Sequence, residues 1–150
     1  MFRNQHKGHL DQGAAAVEIA LLLPLLLLVL FGLVDFGRAF NTQMQVTQAA
    51  REAVRVKALG RTDIDAQNRV TAATQGLPLS PGAPFPVPTV YYFQRCPQGD
   101  TTANATVKVG YSFQFLTPLG PIASWFGGST IPGVGEFKTL TATGTMRCAG

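Results

Sequence analysis

From Ala14 to Val34 the chain runs for 21 residues with a single charge, Glu18. As an α-helix rising about 1.5 Å per residue, this run is about 31 Å long, enough to cross a hydrocarbon core of about 30 Å. An ionised carboxylate near the start of such a span costs roughly 2–3 kcal/mol unless it is paired. Glu18 therefore demands a partner or a working role. Pro24, inside the run, cannot bond to the Ala20 carbonyl, so a helix kink is expected there. Gly32 and Gly37 are further weak or close-contact points.

The flanks orient the run. Residues 1–12 are polar and mildly basic, with Arg3 and Lys7 against Asp11. Positive charge ahead of a spanning helix holds the N-terminus on the cytoplasmic side and sends everything after Asp35 outward. The run is longer than an ordinary secretory signal core. Its continuation, Asp35-Phe36-Gly37-Arg38-Ala39-Phe40, offers no small-x-small cleavage pattern, which argues against a removed signal peptide.

Chemistry is narrowed by what is missing beyond the run. Both histidines, His6 and His9, precede it, and the only cysteines are Cys96 and Cys148. Two cysteines without histidine cannot build a standard four-ligand zinc site, and no Ser-His-Asp or Cys-His pair has its base. No Gly-rich phosphate loop follows an expected strand. The expectation is a non-enzyme with no catalytic residue, no metal and no cofactor. A net charge of +4 is too small and dispersed to argue for nucleic acid. Arg51, Arg55, Lys57 and Arg61 cluster, but Glu52 sits among them, and a solvated helix face accounts for them.

The helix is expected to continue past the membrane to Leu59, about 69 Å in all. Phe36, Phe40, Met44, Ala50, Val54 and Ala58 approximate one face, with Val46, Ala49 and Val56 falling off it. Gly60 stops it, and Arg55 and Lys57 suit its negative end. Thr62 is placed to cap a second helix from Asp63 to about Gln75, with Ile64, Val70, Ala73 and Leu77 on its buried side and Gly76 ending it. Residues 77–88 hold five prolines and read as a semi-rigid spacer.

The remainder reads as β. From Ala103 to Phe115 every odd position is apolar and every even one polar or glycine, the mark of an antiparallel strand buried on one side. Val87–Arg95 precedes it, and Phe137–Cys148 follows with Leu140, Ala142, Met146 and Cys148 on one face. Residues 116–135 form an apolar loop suited to packing on the sheet or on a neighbour. The expected fold class is α+β: a long N-terminal transmembrane helix extending into a stalk, a short second helix, and a small antiparallel sheet of about three strands. The expected segments are 1–13, 14–35, 36–76, 77–88 and 89–150. Cys96 and Cys148 end the first and third strands. Outside a membrane the compartment permits a disulfide, worth roughly 4 kcal/mol for a loop of about fifty residues. The alternative is two free buried thiols.

Gly13 followed by an apolar helix with Glu18 at its fifth residue resembles the prepilin signature of type IV pilins and pseudopilins. The longer string GAAAVEIALLLPLLLLVLFGLVDFGRAF, with QAAREAVR at 48–55, is similar to the TadE-like family of the tight-adherence (Flp) pilus systems. The ordered set Gly13, Glu18, Pro24, Asp35 and Arg38 carries the likeness. YSFQFLTPL and LTATGTMR add to it more loosely. The resemblance implies that residues 1–13 are a leader, cut between Gly13 and Ala14 by a prepilin peptidase. It also implies that Glu18 neutralises the N-terminus of a neighbouring subunit, enforcing register in an assembly. Its partners would be other pilin or pseudopilin subunits, the inner-membrane pilus platform and membrane lipid, in a homo- or hetero-oligomer without nucleic acid. Its place would be the bacterial inner membrane, single-pass, with the C-terminal domain periplasmic, extracellular or in the pilus. The alternative function is an uncut, membrane-tethered envelope scaffold or binding protein.

Overall fold

The computed structural model describes residues 7–97, 102–116 and 138–148, with side chains from residue 13 onward. Helix α1 runs Lys7–Ala58 and helix α2 Asp63–Ala73. Strands β1 (Thr89–Gln94), β2 (Asn104–Phe113) and β3 (Lys138–Arg147) follow. The α+β class and the helix–helix–three-strand order agree with expectation. The apolar loop expected over 116–135 falls, from residue 117 onward, outside the described residues, as do residues 1–6 of the expected leader.

The chain divides into two compact units, Met1–Phe36 and Gly37–Gly150. In the first, the apolar part of α1 turns its large side chains outward all round: Leu21 is 74% exposed, Leu26 63% and Leu33 73%.

In the second unit, α1 becomes amphipathic. Thr42, Val46, Ala49, Ala50, Ala53, Val54, Lys57 and Ala58 are buried, a stripe with the three-and-four spacing of one helix face. Ala50, Val54 and Ala58 of the expected face are inside, but the rest of it is corrected: Phe36, Phe40 and Met44 are exposed, and Val46 and Ala49 are central to the core. Small size decides it. Alanines let the helix backbone come so close to β3 that a Cβ built on Gly144 would stand 2.4 Å from the Ala50 carbonyl oxygen. Bulkier Phe and Met cannot occupy that seam. Gln43 ties the same surface by donating through Nε2 to the Thr141 carbonyl at 3.0 Å.

Gly60 takes φ +73°, the left-handed turn that ends α1. Thr62 then caps α2: its hydroxyl accepts from the Asp65 amide at 3.2 Å, while the Asp65 carboxylate accepts the Thr62 amide at 3.2 Å. On α2 the buried residues are Ala66 and Val70, whereas Ile64, expected inside, is 68% exposed. Ile64 is the second residue of α2 and lies in its first turn.

The sheet is an antiparallel meander, β1-β2-β3. Ala105, Val107, Val109, Tyr111 and Phe113 of β2 enter the core, as the alternation demands. Gly110 and Ser112, on the opposite face, are buried as well. The reason lies in residues 77–88, which do more than connect. Ser80 Oγ donates to the Ser112 carbonyl at 2.6 Å, and the Phe85 amide donates to Ser112 Oγ at 3.1 Å. The Tyr111 hydroxyl donates to the Pro78 carbonyl at 2.7 Å. The Phe85 ring lies over Gly110, 3.2 Å from where a Cβ would project. Five prolines, lacking amide donors, leave this segment to satisfy itself through few, specific bonds to β2.

Gln67 of α2 seals the outer edge of β1. Its Oε1 accepts the Val90 amide at 2.9 Å and its Nε2 donates to the Pro88 carbonyl at 3.2 Å. One amide side chain thus substitutes locally for a neighbouring strand and blunts the edge against foreign pairing.

Candidate functional site

Two features stand out once the fold is in place: the bare N-terminal helix, and a charged clamp beside the disulfide.

The helix is the larger. Its most apolar 18-residue window has a mean hydropathy of 2.8, and none of that window is buried. A core helix of a water-soluble domain would hide such a face. This one is long and apolar enough to cross a membrane. Gly13, Ala14 and Glu18 lie in its first turns and are exposed. Ala14 and Glu18, four apart, share a helix face one turn from each other. A Cβ built on Gly13 would meet no atom within 4 Å among the described residues, so their packing gives no reason for glycine at 13. Pro24 is inside the helix, which continues through it. Asp35, the acid that ends the apolar run, is only 3% exposed. Three residues on, the Arg38 guanidinium stands 5.3 Å from the centre of the Phe113 ring, a cation–π contact between α1 and β2.

Residues 13–55 match the family model of the TadE-like proteins. The TadE-like segment thus takes in the whole apolar run with Glu18, the Asp35 that ends it, and the first buried turns of the stripe that packs on the sheet. It ends before α2 and the strands. No curated protein and no solved structure matches the chain. Every site residue expected from the prepilin likeness, Gly13, Ala14, Glu18 and Pro24, lies within the TadE-like segment. The cysteines lie beyond it.

The clamp holds the end of α1 to the end of β1. Lys57, assigned from sequence to a solvated face, is 3% exposed and is corrected to a buried cation. Its Nζ donates to Asp63 Oδ1 at 2.6 Å and to the Arg61 carbonyl at 2.9 Å, and lies 5.6 Å from the Phe93 ring centre. Arg95 donates to the other Asp63 oxygen. Next to Arg95, Cys96 is joined to Cys148 by a disulfide, so the free-thiol alternative does not hold. Sequence spacing could not find this cluster, because Lys57 and Arg95 come together only when β1 folds back beside the α1–α2 turn.

The Asp63 carboxyl is held below the usual carboxylate range, first by the hydrogen bond from Lys57 and then by that from Arg95. A carboxyl whose folded pKa is depressed adds stability above its unfolded pKa of about 3.9 and loses it as pH falls through the folded value. The folded unit is expected to weaken below about pH 4, and Asp63→Asn to flatten that acid dependence. Thermal melts from pH 3 to 7 measure both.

Proposed function

We propose that this chain is a processed pseudopilin-type subunit that takes part in assembling a tight-adherence pilus, acting by helix packing and not by chemistry. The observation that carries this reading is the unburied apolar helix of the TadE-like segment, with Glu18 one turn beyond Ala14. An apolar helix that no described residue of its own chain buries needs lipid or other helices. Glu18 adds a charge that must be met there.

In this reading a prepilin peptidase cuts between Gly13 and Ala14. Glycine suits the cut because it costs about 1 kcal/mol more than alanine to keep helical, which eases local unwinding for a protease. The new α-amine, with an unperturbed pKa of about 8, is protonated at neutral pH. It carries the charge opposite to that of Glu18. On one helix the two are a turn apart; on two staggered helices they pair directly. Pairing across copies removes the cost of both charges in an apolar setting and selects one stagger over others. Pro24 supplies a bending point above that contact. The outer part of the chain then lies on the periplasmic side or in the filament, where oxidation of Cys96 and Cys148 is permitted.

N-terminal sequencing of the membrane-extracted protein tests the cut. A mature chain starting at Ala14 is expected. Gly13→Ala is expected to leave the full-length chain uncut, and Glu18→Ala to be cut normally but to lower pilus yield. A chain that starts at Met1 in cells making normal pili sinks the processed reading and leaves the uncut tether. Normal pilus yield with Glu18→Ala sinks the charge-pairing role.

A further inference from the structure

The sheet face turned away from α1 has a composition that packing does not ask for. Its far end, at Gly110 and Ser112, is covered by residues 77–88. The rest is open. On β3 the residues Thr139, Thr141, Thr143 and Thr145 are all exposed and follow one another at every second position, so their side chains share this face. Thr143 is paired with Lys108, and Thr145 with Thr106. Arg147 closes the row, exposed and paired with Asn104.

The β1 side adds two aromatic rings by a specific device. The β1–β2 register skips between Val90 and Tyr92: Val90 pairs with Val109 and Tyr92 with Lys108, leaving Tyr91 as the extra residue of a bulge. A bulge re-aims a side chain. Here Tyr91 meets the Phe85 ring at 5.5 Å, on the side where Phe85 covers Gly110, and Tyr92 lies under the Lys108 ammonium at 5.1 Å. Two consecutive tyrosines therefore occupy one face, 47% and 43% exposed. Without the bulge, alternation would have sent one of them to the core side.

The charge is of one sign. The three strands contain no Asp or Glu, and this face carries Lys108 and Arg147. It has hydroxyl groups in a ladder, two ring faces and two cations.

We propose that this face binds an acidic polysaccharide, a glycan chain whose sugars carry carboxylates. Ring faces of tyrosine give large, rigid contact area at low entropy cost and suit the apolar face of a sugar ring. The threonine ladder offers both donors and acceptors, matching the hydroxyls of a sugar, which are both at once. Lys108 and Arg147 supply the complement to the carboxylates, with no acid on the strands to oppose them. Exposed groups spread across all three strands suit a long polymer crossing them. A small ligand would need a pocket.

The test uses the full chain in neutral detergent micelles, with alginate as a polyuronate, dextran as a neutral glycan, polyglutamate as an acidic peptide, and vesicles of phosphatidylglycerol and phosphatidylcholine. Binding is read by sedimentation and by affinity electrophoresis. Alginate is expected to bind more tightly than dextran, polyglutamate or the vesicles. Tyr92→Ala and Lys108→Gln are each expected to weaken alginate about tenfold. An unchanged circular dichroism spectrum and an intact disulfide establish that each variant is folded. Tyr91→Phe, which keeps the ring, is expected to bind within about twofold of the parent chain. Failure of alginate to bind overturns the proposal. Polyglutamate or vesicles binding as tightly as alginate also overturns it, since charge alone or lipid would then be recognised. Folded Tyr92→Ala and Lys108→Gln chains that bind alginate unchanged would place any glycan contact elsewhere, which is equally fatal.

Discussion

Cys148→Ser, alone or with Cys96→Ser, is expected to lower the stability of the folded unit by about 4 kcal/mol. The two cysteines are 52 positions apart and join just beyond the ends of β1 and β3, with a Cα–Cα distance of 5.7 Å. Those strands are not neighbours; β2 lies between them. The bond therefore closes the sheet across its own width, at the end where the Cys148 amide donates to the Ala103 carbonyl at 2.9 Å. In the chain-entropy account its effect is on the unfolded state, where it removes a loop of some fifty residues from the conformations available. A three-stranded sheet with a modest core has little else of that size. Hydrogen exchange of the β2 amides reads the outcome: protection should fall about a thousandfold in the serine variant. The same fall should follow reduction of the parent chain. A loss of less than tenfold would mean that the core holds the sheet without the crosslink.

Gly144→Ala should cost about 3 kcal/mol, although it adds a single methyl group. In most strands the exchange is favourable, because glycine loses more backbone freedom on folding. Here the added carbon would lie 2.4 Å from the Ala50 oxygen, 2.9 Å from its carbonyl carbon and 3.0 Å from a Val54 methyl. The nearest atoms are helix backbone, which cannot rotate away as a side-chain tip would. Helix and strand must separate, and the seam formed by Val46, Ala49, Ala50 and Ala53 opens with them. Gly37→Ala is the control, since its Cβ meets nothing within 4 Å and alanine is the better helix former. Urea titrations of the two variants should move in opposite directions. Equal midpoints would show that the seam can slide to accept a Cβ.

Much of this architecture is legible from local pattern. The unbroken apolar run marks a helix able to span. The odd–even alternation from Ala103 to Phe115 marks a strand, Gly60 marks a stop, and Thr62 with Asp65 marks a cap. These signals are short-range: each depends on residues within a few positions of one another. The stripe on the second half of α1 is less legible, because hydrophobicity ranks Phe40 and Met44 above Ala49 and Ala53. Close approach to a sheet ranks them the other way. Lys57 shows the same limit of local pattern. Nothing near it in sequence announces that Phe93 and Arg95 will lie beside it, so a basic residue in a last helical turn reads as solvated.

The amino-acid order by itself determined that this chain has a spanning-length helix bearing one acid, no histidine beyond it, and a β half that begins after the prolines. These follow from composition and period, which do not depend on what packs against what. Only the tertiary structure decided which face of α1 is inside, that residues 77–88 lie on β2, that Cys96 bonds Cys148, and that a bulge turns Tyr91 and Tyr92 to one side. Each of those is an encounter between segments far apart in sequence. Its outcome is set by the distance at which two backbones can meet, and only the folded chain specifies that distance.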